Sequence, residues 1–375
     1  MEMVLEMTTG AIFMGRDDVV RLGNATGWTV AVSRRPALSK VRKAPGDQFR
    51  QPSIDPAMKT EPASKPVTAY AFDHAWFKLP TGFPLGDCHG MAVDQRDHVW
   101  VLQQNGDDKH PAVLEFDASG TYVRGWGNRF ARGAHGLAYD KRDGLEFLFV
   151  VDYELQAVVK CTLDGTELLA LQRPVHAAYP DGNGYRPTDV AIAPNGDIYV
   201  TDGYGASLIH RYAADGRYLQ TIGWKGNGPG QFDCPHGICI DARGAEPVLL
   251  VADRANVRVQ VLSLTGEHRQ TITSRGLRYP CTLRVHGDVT IIPDLFGAVL
   301  VWDKNYTLVA TLGAHPDMRP GEWPKHVAGY PSVPREDRLD GRFISPHGIT
   351  RDSKGNIYVG EWLRDGGRLT KLSPR

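Results

Sequence analysis

The sequence predicts an all-β fold, a six-bladed β-propeller, from repeated segments and their spacing. Four segments place His-Gly before an apolar run that ends at an aspartate. They span residues 88–94, 134–140, 235–241 and 346–352. Two degenerate copies begin at Pro187 and Pro280. The six starts are separated by 46, 53, 48, 45 and 66 residues, and a period in this range indicates repeated supersecondary units.

Each repeat is predicted to contain four strands. The third repeat shows the order, with strands expected at 190–193, 198–202, 206–212 and 218–223. Asn-Gly and Asp-Gly pairs between these runs supply the positive φ that tight hairpins need, and the β-branched and aromatic residues favour strands. Four antiparallel strands per repeat are typical of a propeller blade. We therefore expect the propeller to occupy residues 70–375.

The closing strand of the last blade is expected to come from the N-terminal side of the repeats. The chain ends directly after the strand-like run 368–372, so the sixth blade lacks a fourth strand of its own. The candidates are 70–72 and 76–78. Such a closure would join the two ends of the ring and remove free sheet edges.

Residues 1–69 are predicted to be an irregular extension and linker. A basic stretch at 34–43 is followed by five prolines between 45 and 66, and this composition is typical of extended chain. The best strand candidate is 28–32. The first residues lack a positive segment followed by a sustained apolar core, so we expect no signal peptide and a cytoplasmic location.

Composition excludes several functional classes. The formal net charge is +0, which gives no indication of nucleic acid or an anionic membrane as a partner. No apolar run reaches 18 residues, so no transmembrane helix is expected. The five cysteines are an odd number without a CxxC pair, and we expect reduced thiols and no disulfide framework.

Histidines occupy one equivalent position in four of the six repeats. They are His89, His135, His236 and His347. This position precedes the strand that begins each blade, so the four side chains are expected to converge near the central channel. Zinc accepts three histidine ligands and keeps an open position for water or substrate. The alternative is that each histidine only caps a turn through a backbone carbonyl.

The repeats resemble the NHL-repeat propellers. The resemblance rests on 226–232, 235–237 and 251–260 and extends over all six units. More specifically, the chain is similar to the peptidyl-α-hydroxyglycine α-amidating lyases. The blade-start phrases at His135, His236 and His347 and the phrases 186–191 and 200–204 carry this similarity.

The resemblance implies a catalytic zinc, or another divalent transition metal, held by His135, His236 and His347. It also implies a catalytic tyrosine at Tyr204 and a functional arginine at Arg254. Tyr204 would act as general base if the metal and Arg254 lower its pKa. Arg254 would bind a substrate carboxylate. The alternatives are that Tyr204 is a channel-lining aromatic residue and that Arg254 forms an ion pair between blades.

The chain departs from the family at three positions. The family's arginine on the second strand of blade 1 corresponds to Gln104, which we therefore predict to bind substrate together with Arg254. The family's calcium-binding aspartate corresponds to Gly348, so loss of the calcium site is expected. His89 is additional. It is predicted to be a fourth ligand or, as we favour, a group beside the open metal position.

These observations predict a metal-dependent lyase-like enzyme. Its substrate would be a small hydroxylated amide or peptide-like molecule in the central channel. One alternative is a metal-dependent hydrolase or lactonase-like enzyme, and another is a non-catalytic scaffold that binds a protein or peptide. The long interval at 313–343 is expected to form a loop over the channel mouth, with Trp323 and Tyr330 near the pocket.

Overall fold

The computed structural model describes residues 70–180, 184–314, 331–364 and 366–375. It describes the backbone alone for 5–7, 10–14, 20–23, 326–327 and 330. The chain divides into two compact units, 1–47 and 48–375. In the first unit, three strands form an antiparallel sheet: β1 (Leu5–Met7), β2 (Gly10–Met14) and β3 (Val20–Gly23). The strand predicted at 28–32 lies outside the described residues, and the domain boundary after residue 69 stays a prediction.

The second unit is a six-bladed propeller, as predicted, in which every blade is a four-stranded antiparallel sheet. Within this second unit, the first described strand is β4 (Tyr70–Asp73). Blade 1 contains β5 (Asp87–Val93), β6 (Val99–Gln104), β7 (Val113–Phe116) and β8 (Tyr122–Trp126). Blade 2 contains β9 (Ala134–Arg142), β10 (Leu145–Asp152), β11 (Ala157–Thr162) and β12 (Glu167–Leu171). Blade 3 contains β13 (Asp189–Ile192), β14 (Ile198–Asp202), β15 (Leu208–Tyr212) and β16 (Tyr218–Ile222).

The second half of the ring repeats this order. A short parallel pair, β17 (Trp224–Lys225) and β18 (Gln231–Phe232), precedes blade 4. Blade 4 contains β19 (Pro235–Asp241), β20 (Val248–Asp253), β21 (Arg258–Ser263) and β22 (His268–Ile272). Blade 5 contains β23 (Arg284–His286), β24 (Val289–Asp294), β25 (Ala298–Trp302) and β26 (Leu308–Leu312). After the hairpin β27 (His326–Val327) and β28 (Tyr330–Pro331), blade 6 contains β29 (Pro346–Arg351), β30 (Ile357–Glu361) and β31 (Arg368–Pro374).

Helical structure in the described part of the chain is limited to three short 3₁₀ turns. They are Asn128–Phe130, Arg254–Asn256 and Arg335–Asp337. No helix among these residues is long and apolar enough to cross a membrane. The fold is therefore all-β, as the repeat pattern predicts.

Strand β4 closes the ring. It pairs antiparallel with β31, with Phe72 opposite Leu372, and so supplies the fourth strand of blade 6. This confirms the predicted closure for the first candidate segment. The second candidate does not join the closing strand, because Lys78 instead forms a bridge with Thr121 of blade 1. Phe77 packs edge-on against Phe116 at a centroid distance of 4.9 Å.

The core lies between the blades. Each of the six interfaces between neighbouring blades contains its own cluster of buried apolar side chains. Trp100 and Trp302 are fully buried in two of these clusters. Burying one such large side chain contributes roughly 1.5–3 kcal/mol. The first strands of the six blades also contact one another in a closed ring, and this inner ring lines the channel that holds the candidate site.

Candidate metal centre

The four repeat histidines lie on the innermost strands β5, β9, β19 and β29. The sequence predicted them just before these strands, but the structure places them inside, each at a shift in strand register. In blade 4 the shift falls between Pro235 and Gly237, and in blade 6 between Pro346 and Gly348. A β-bulge redirects a side chain away from the regular alternation. The repeated bulge therefore explains why the histidines face the channel.

The glycine after each histidine lets neighbouring blades approach closely. A Cβ atom on Gly136 would lie 2.7 Å from the Thr188 carbonyl oxygen, and one on Gly237 would lie 2.5 Å from that of Cys281. A Cβ atom on Gly348 would meet the His89 carbonyl. A side chain at position 348 would therefore require the inner strands of blades 6 and 1 to move apart.

Three of the histidines are oriented by backbone carbonyls of the next blade. Nδ1 of His135 donates to Thr188 O at 2.6 Å, Nδ1 of His236 to Cys281 O at 2.8 Å, and Nδ1 of His347 to His89 O at 3.1 Å. A carbonyl oxygen only accepts, so each Nδ1 carries the hydrogen. Each Nε2 is then left as an unprotonated nitrogen with a free lone pair. Metal-bound histidines typically have this arrangement.

The histidines are neutral. Burial lowers the pKa of His135 and His236 well below the usual value, and it lowers the pKa of His347 to about 3. The positive charge of Arg254 acts in the same direction on all three. Neutral imidazole is the form that binds a metal ion.

The three rings lie close together. Their centroids are 4.7 Å apart for His135 and His236, 4.9 Å for His135 and His347, and 5.0 Å for His236 and His347. Zinc–nitrogen bonds are about 2.0–2.1 Å long, so rings at this spacing can share one ion.

The hydroxyl of Tyr204 provides a test of whether a cation fits there. It lies 3.1 Å from Nε2 of His135 and 3.0 Å from Nε2 of His236. The phenol has one proton, so it can donate to only one of these two lone pairs. The other lone pair faces an oxygen and has no donor. A metal ion would satisfy both nitrogens, and the donor set therefore fits one.

His89 belongs to the same cluster. Its ring lies 4.6 Å from that of His347 and 5.1 Å from that of His135. Donor atoms of these three residues lie within 4.8 Å of one another. His89 is 6% exposed, and neither of its ring nitrogens has a hydrogen-bond partner among the described residues.

Tyr204 lies beside the cluster, as the resemblance implies. Burial raises the pKa of Tyr204 far above the usual value, and Arg254 only partly opposes this. The charges of the chain itself therefore leave the phenol protonated. The ring packs edge-on against Tyr153 at 5.5 Å.

Arg254 is fully buried, and no acidic side chain in the described part of the chain pairs with it. Among the residues that the structure describes, its guanidinium nitrogens have no oxygen or nitrogen acceptor, and the thiols of Cys234 and Cys281 lie beside the group. The group lies over the rings of Tyr279 at 4.7 Å and Tyr204 at 5.4 Å. An ion pair between blades was the alternative for this residue, and the described residues offer no such pair. A buried charge without a partner is costly, so Arg254 points to an anionic group on a ligand.

Gln104 is not part of the histidine cluster itself, but it bonds Tyr153, which packs against His135. Its Nε2 donates to the carbonyl of Ala134 at 2.8 Å, and its Oε1 accepts from the Tyr153 hydroxyl at 3.3 Å. Both ends of the amide are thus engaged by neighbouring blade 2. Gln104 therefore helps to position Tyr153, whose ring packs against Tyr204.

The sequence did not reveal an ion pair that joins the inner strands of blades 3 and 5 across the channel. Arg284 lies 3.2 Å from Asp189 and donates to the carbonyl of Leu137 at 3.0 Å. Both residues line the same small cavity as the four histidines. Asp189 and Arg284 belong to the two degenerate repeats, so the repeat pattern gave no signal for them.

Acidic residues at the ends of the second strands are structural. Among the described residues, their carboxylates accept hydrogen bonds from backbone amides and not from the four repeat histidines. They are Asp152, Asp202, Asp253, Asp294 and Glu361.

The long interval before blade 6 is described only in part. Val333 packs with Tyr279, Cys281 and Trp362 in one buried cluster, so this part of the insert lies against the blades that carry the site. Trp323 and the side chain of Tyr330 fall outside the described residues, and their predicted place near the pocket stays a prediction.

Comparisons with known proteins agree with this architecture. The sequence profile of the NHL repeat matches residues 185–212. Peptidylglycine alpha-amidating monooxygenase of Rattus norvegicus is 30% identical over 203 residues, which cover 47% of this chain and 20% of the rat protein. The match thus spans about a fifth of that relative's length.

Two further proteins match most of the chain. Peptidyl-alpha-hydroxyglycine alpha-amidating lyase 2 of Drosophila melanogaster is 23% identical over 357 residues, covering 92% of this chain and 78% of the fly protein. A solved structure described as streptogramin B lyase superposes with a TM-score of 0.55 at 14% identity, covering 83% of this chain and 100% of that one, which shows the fold. The chain is therefore a six-bladed β-propeller that contains an NHL repeat at residues 185–212 and is similar to the peptidyl-α-hydroxyglycine α-amidating lyases.

Proposed function

We propose that the protein is a metal-dependent lyase that acts on a small hydroxylated amide or peptide-like substrate in the central channel. One observation carries this proposal. Nε2 of His135 and Nε2 of His236 lie beside the Tyr204 hydroxyl, the ring of His347 lies within 5.0 Å of both of their rings, and the guanidinium of Arg254 lies over the Tyr204 ring. The relatives named as amidating lyases, 23–25% identical over most of the chain, support the reaction class.

His135, His236 and His347 would hold the metal through Nε2, and His89 lies next to them. A zinc or other divalent transition metal bound there would supply a Lewis acid that lowers the pKa of a hydroxyl group in contact with it. The backbone carbonyls that accept from Nδ1 keep the rings in one orientation and one tautomer.

The reaction would break the bond between the hydroxyl-bearing carbon and the amide nitrogen. The hydroxyl oxygen loses a proton and becomes the oxygen of an aldehyde, and the nitrogen gains a proton and leaves as a primary amide. The reaction needs no oxidant. In this proposal, the protonated Tyr204 hydroxyl would give a proton to the leaving nitrogen and recover one from the substrate hydroxyl.

Arg254 would contribute in two ways. Its positive charge lies 5.4 Å from the Tyr204 ring centre and favours the phenolate that forms when Tyr204 gives up its proton. Its free guanidinium nitrogens could also bind a substrate carboxylate through two parallel hydrogen bonds. A substrate with a carboxylate next to the hydroxyl-bearing carbon would satisfy this group.

Metal content and activity test the proposal together. We expect about one transition-metal ion per chain in protein purified without chelator, and release of aldehyde from an N-acyl-α-hydroxyglycine. His236→Ala should lose both the metal and the activity. His89→Ala should keep much of the metal. His268→Ala is the matched control, since this partly exposed side chain bonds Thr271 on the outer strand β22 and should change neither.

Two outcomes would contradict the proposal. Hydrolysis of an ester or lactone without cleavage of the hydroxyglycine substrate would favour the hydrolase alternative. Absence of any transition metal from the wild-type protein would favour the non-catalytic scaffold.

A further inference from the structure

Cys281 occupies the histidine position in blade 5. Pro280-Cys281 aligns with Pro235-His236 and Pro346-His347 in the repeat register. The structure supports this equivalence, because His236 of blade 4 donates to the carbonyl of Cys281 just as His347 of blade 6 donates to the carbonyl of His89 in blade 1. The side chain of Cys281 therefore begins from the same place on the inner ring as the four imidazoles.

The thiol is within reach of the cluster. Sγ of Cys281 and one ring nitrogen each from His236 and His347 all lie within 4.8 Å of one another. Cys281 is fully buried. His347 is shared with the second donor group, which contains His89 and His135. Five of the six blades thus direct a metal-binding atom towards one region of the channel.

Two buried polar groups in this region are consistent with a bound ion. His89 is 6% exposed and neither of its ring nitrogens has a partner. Arg254 is fully buried and lies beside the Cys281 thiol; burial raises the pKa of this thiol, and the positive charge of Arg254 acts in the opposite direction. A metal-bound thiolate beside Arg254 would give this guanidinium the negative neighbour that it lacks in the metal-free chain.

We propose that Cys281 is a sulfur ligand of the metal at the histidine cluster. This inference rests on the proposed metal centre and adds a fourth protein ligand to it, so a substrate hydroxyl would join the metal as a fifth ligand. Imidazole combined with thiolate selects zinc, cobalt and similar transition metals over magnesium and calcium, which prefer oxygen ligands. The site would therefore be specific for a thiophilic ion.

Cobalt substitution tests the ligand directly, independently of activity. Co²⁺ bound by the wild-type protein is expected to show a sulfur-to-cobalt charge-transfer band in the near ultraviolet as well as the visible bands of a tetrahedral site. Cys281→Ser should lose the ultraviolet band. Cys234→Ser is the matched control, because that thiol also lies near Arg254 but belongs to no donor group among the described residues, and it should keep the band.

X-ray absorption of the zinc-loaded wild-type protein needs no variant, so it decides the question even if Cys281→Ser fails to fold. We expect one sulfur neighbour at about 2.3 Å beside nitrogen neighbours at about 2.0–2.1 Å. A shell of nitrogen and oxygen alone would overturn the sulfur ligand and leave the histidine centre standing. Failure of the wild-type protein to bind either ion would overturn both the metal centre and this inference.

Discussion

At the scale of single residues, the buried histidines make stability depend on pH. His210 lies on β15, where Nε2 bonds the Tyr179 hydroxyl and Nδ1 bonds Thr221, and burial lowers its pKa from 6.5 to about 3. Between these values only the unfolded chain binds the proton, so the stabilisation is present above pH 6.5 and is lost as the pH falls. From about pH 5.5 to 4.5, the unfolding free energy of the wild type should fall by about 1.4 kcal/mol per pH unit more than that of His210→Gln. Urea denaturation measures both slopes, and equal slopes would contradict the prediction.

At the scale of the blade, the contact between inner strands is set by the glycine after each histidine. In Gly237→Ala, the new Cβ would lie 2.5 Å from Cys281 O and from Thr282 Cα, so blades 4 and 5 must separate. We expect a loss of about 1–3 kcal/mol in the free energy of unfolding, and weaker metal binding because the hydrogen bond from His236 to Cys281 spans the same contact. Gly244→Ala is the control, since the nearest atom to its Cβ is 3.5 Å away. Denaturation and metal titration of both variants measure the effect. Equal stability of the two would show that the inner strands separate at no cost.

At the scale of the whole ring, closure depends on β4. A chain of residues 48–375 contains one complete compact unit, whereas a chain of residues 75–375 lacks the strand that pairs with β31. The shorter chain exposes an unpaired strand edge, which is a site for aggregation, and removes Phe72 from its contact with Phe343 at 5.5 Å. We expect a lower melting temperature and larger particles by light scattering for residues 75–375. If both chains melt at the same temperature as monomers, closure by β4 contributes nothing to stability.

The sequence by itself determined the number of blades, the order of strands within each blade and the register of the four histidines. Turn residues and strand periodicity are local, so one repeat can be recognised without knowing its neighbours. In a closed ring, equivalent positions face the same axis, so the histidine register also predicted which side chains would lie near the channel. The position of Tyr204 beside them came from the resemblance to a known family and agrees with the structure.

The tertiary structure alone decided the electrostatics of the site. The spacing of residues in the sequence does not reveal the tautomer of the histidines or the surroundings of Arg254. It also does not reveal the raised pKa of Tyr204 or the Arg284–Asp189 ion pair. Each depends on distances between blades. The hydrogen bond from His347 to His89 joins residues 258 positions apart, and burial, which sets each pKa, arises only when six interfaces close together. The Arg284–Asp189 pair leaves no periodic trace in the chain, because it involves one residue from each of two blades and has no counterpart in the other repeats.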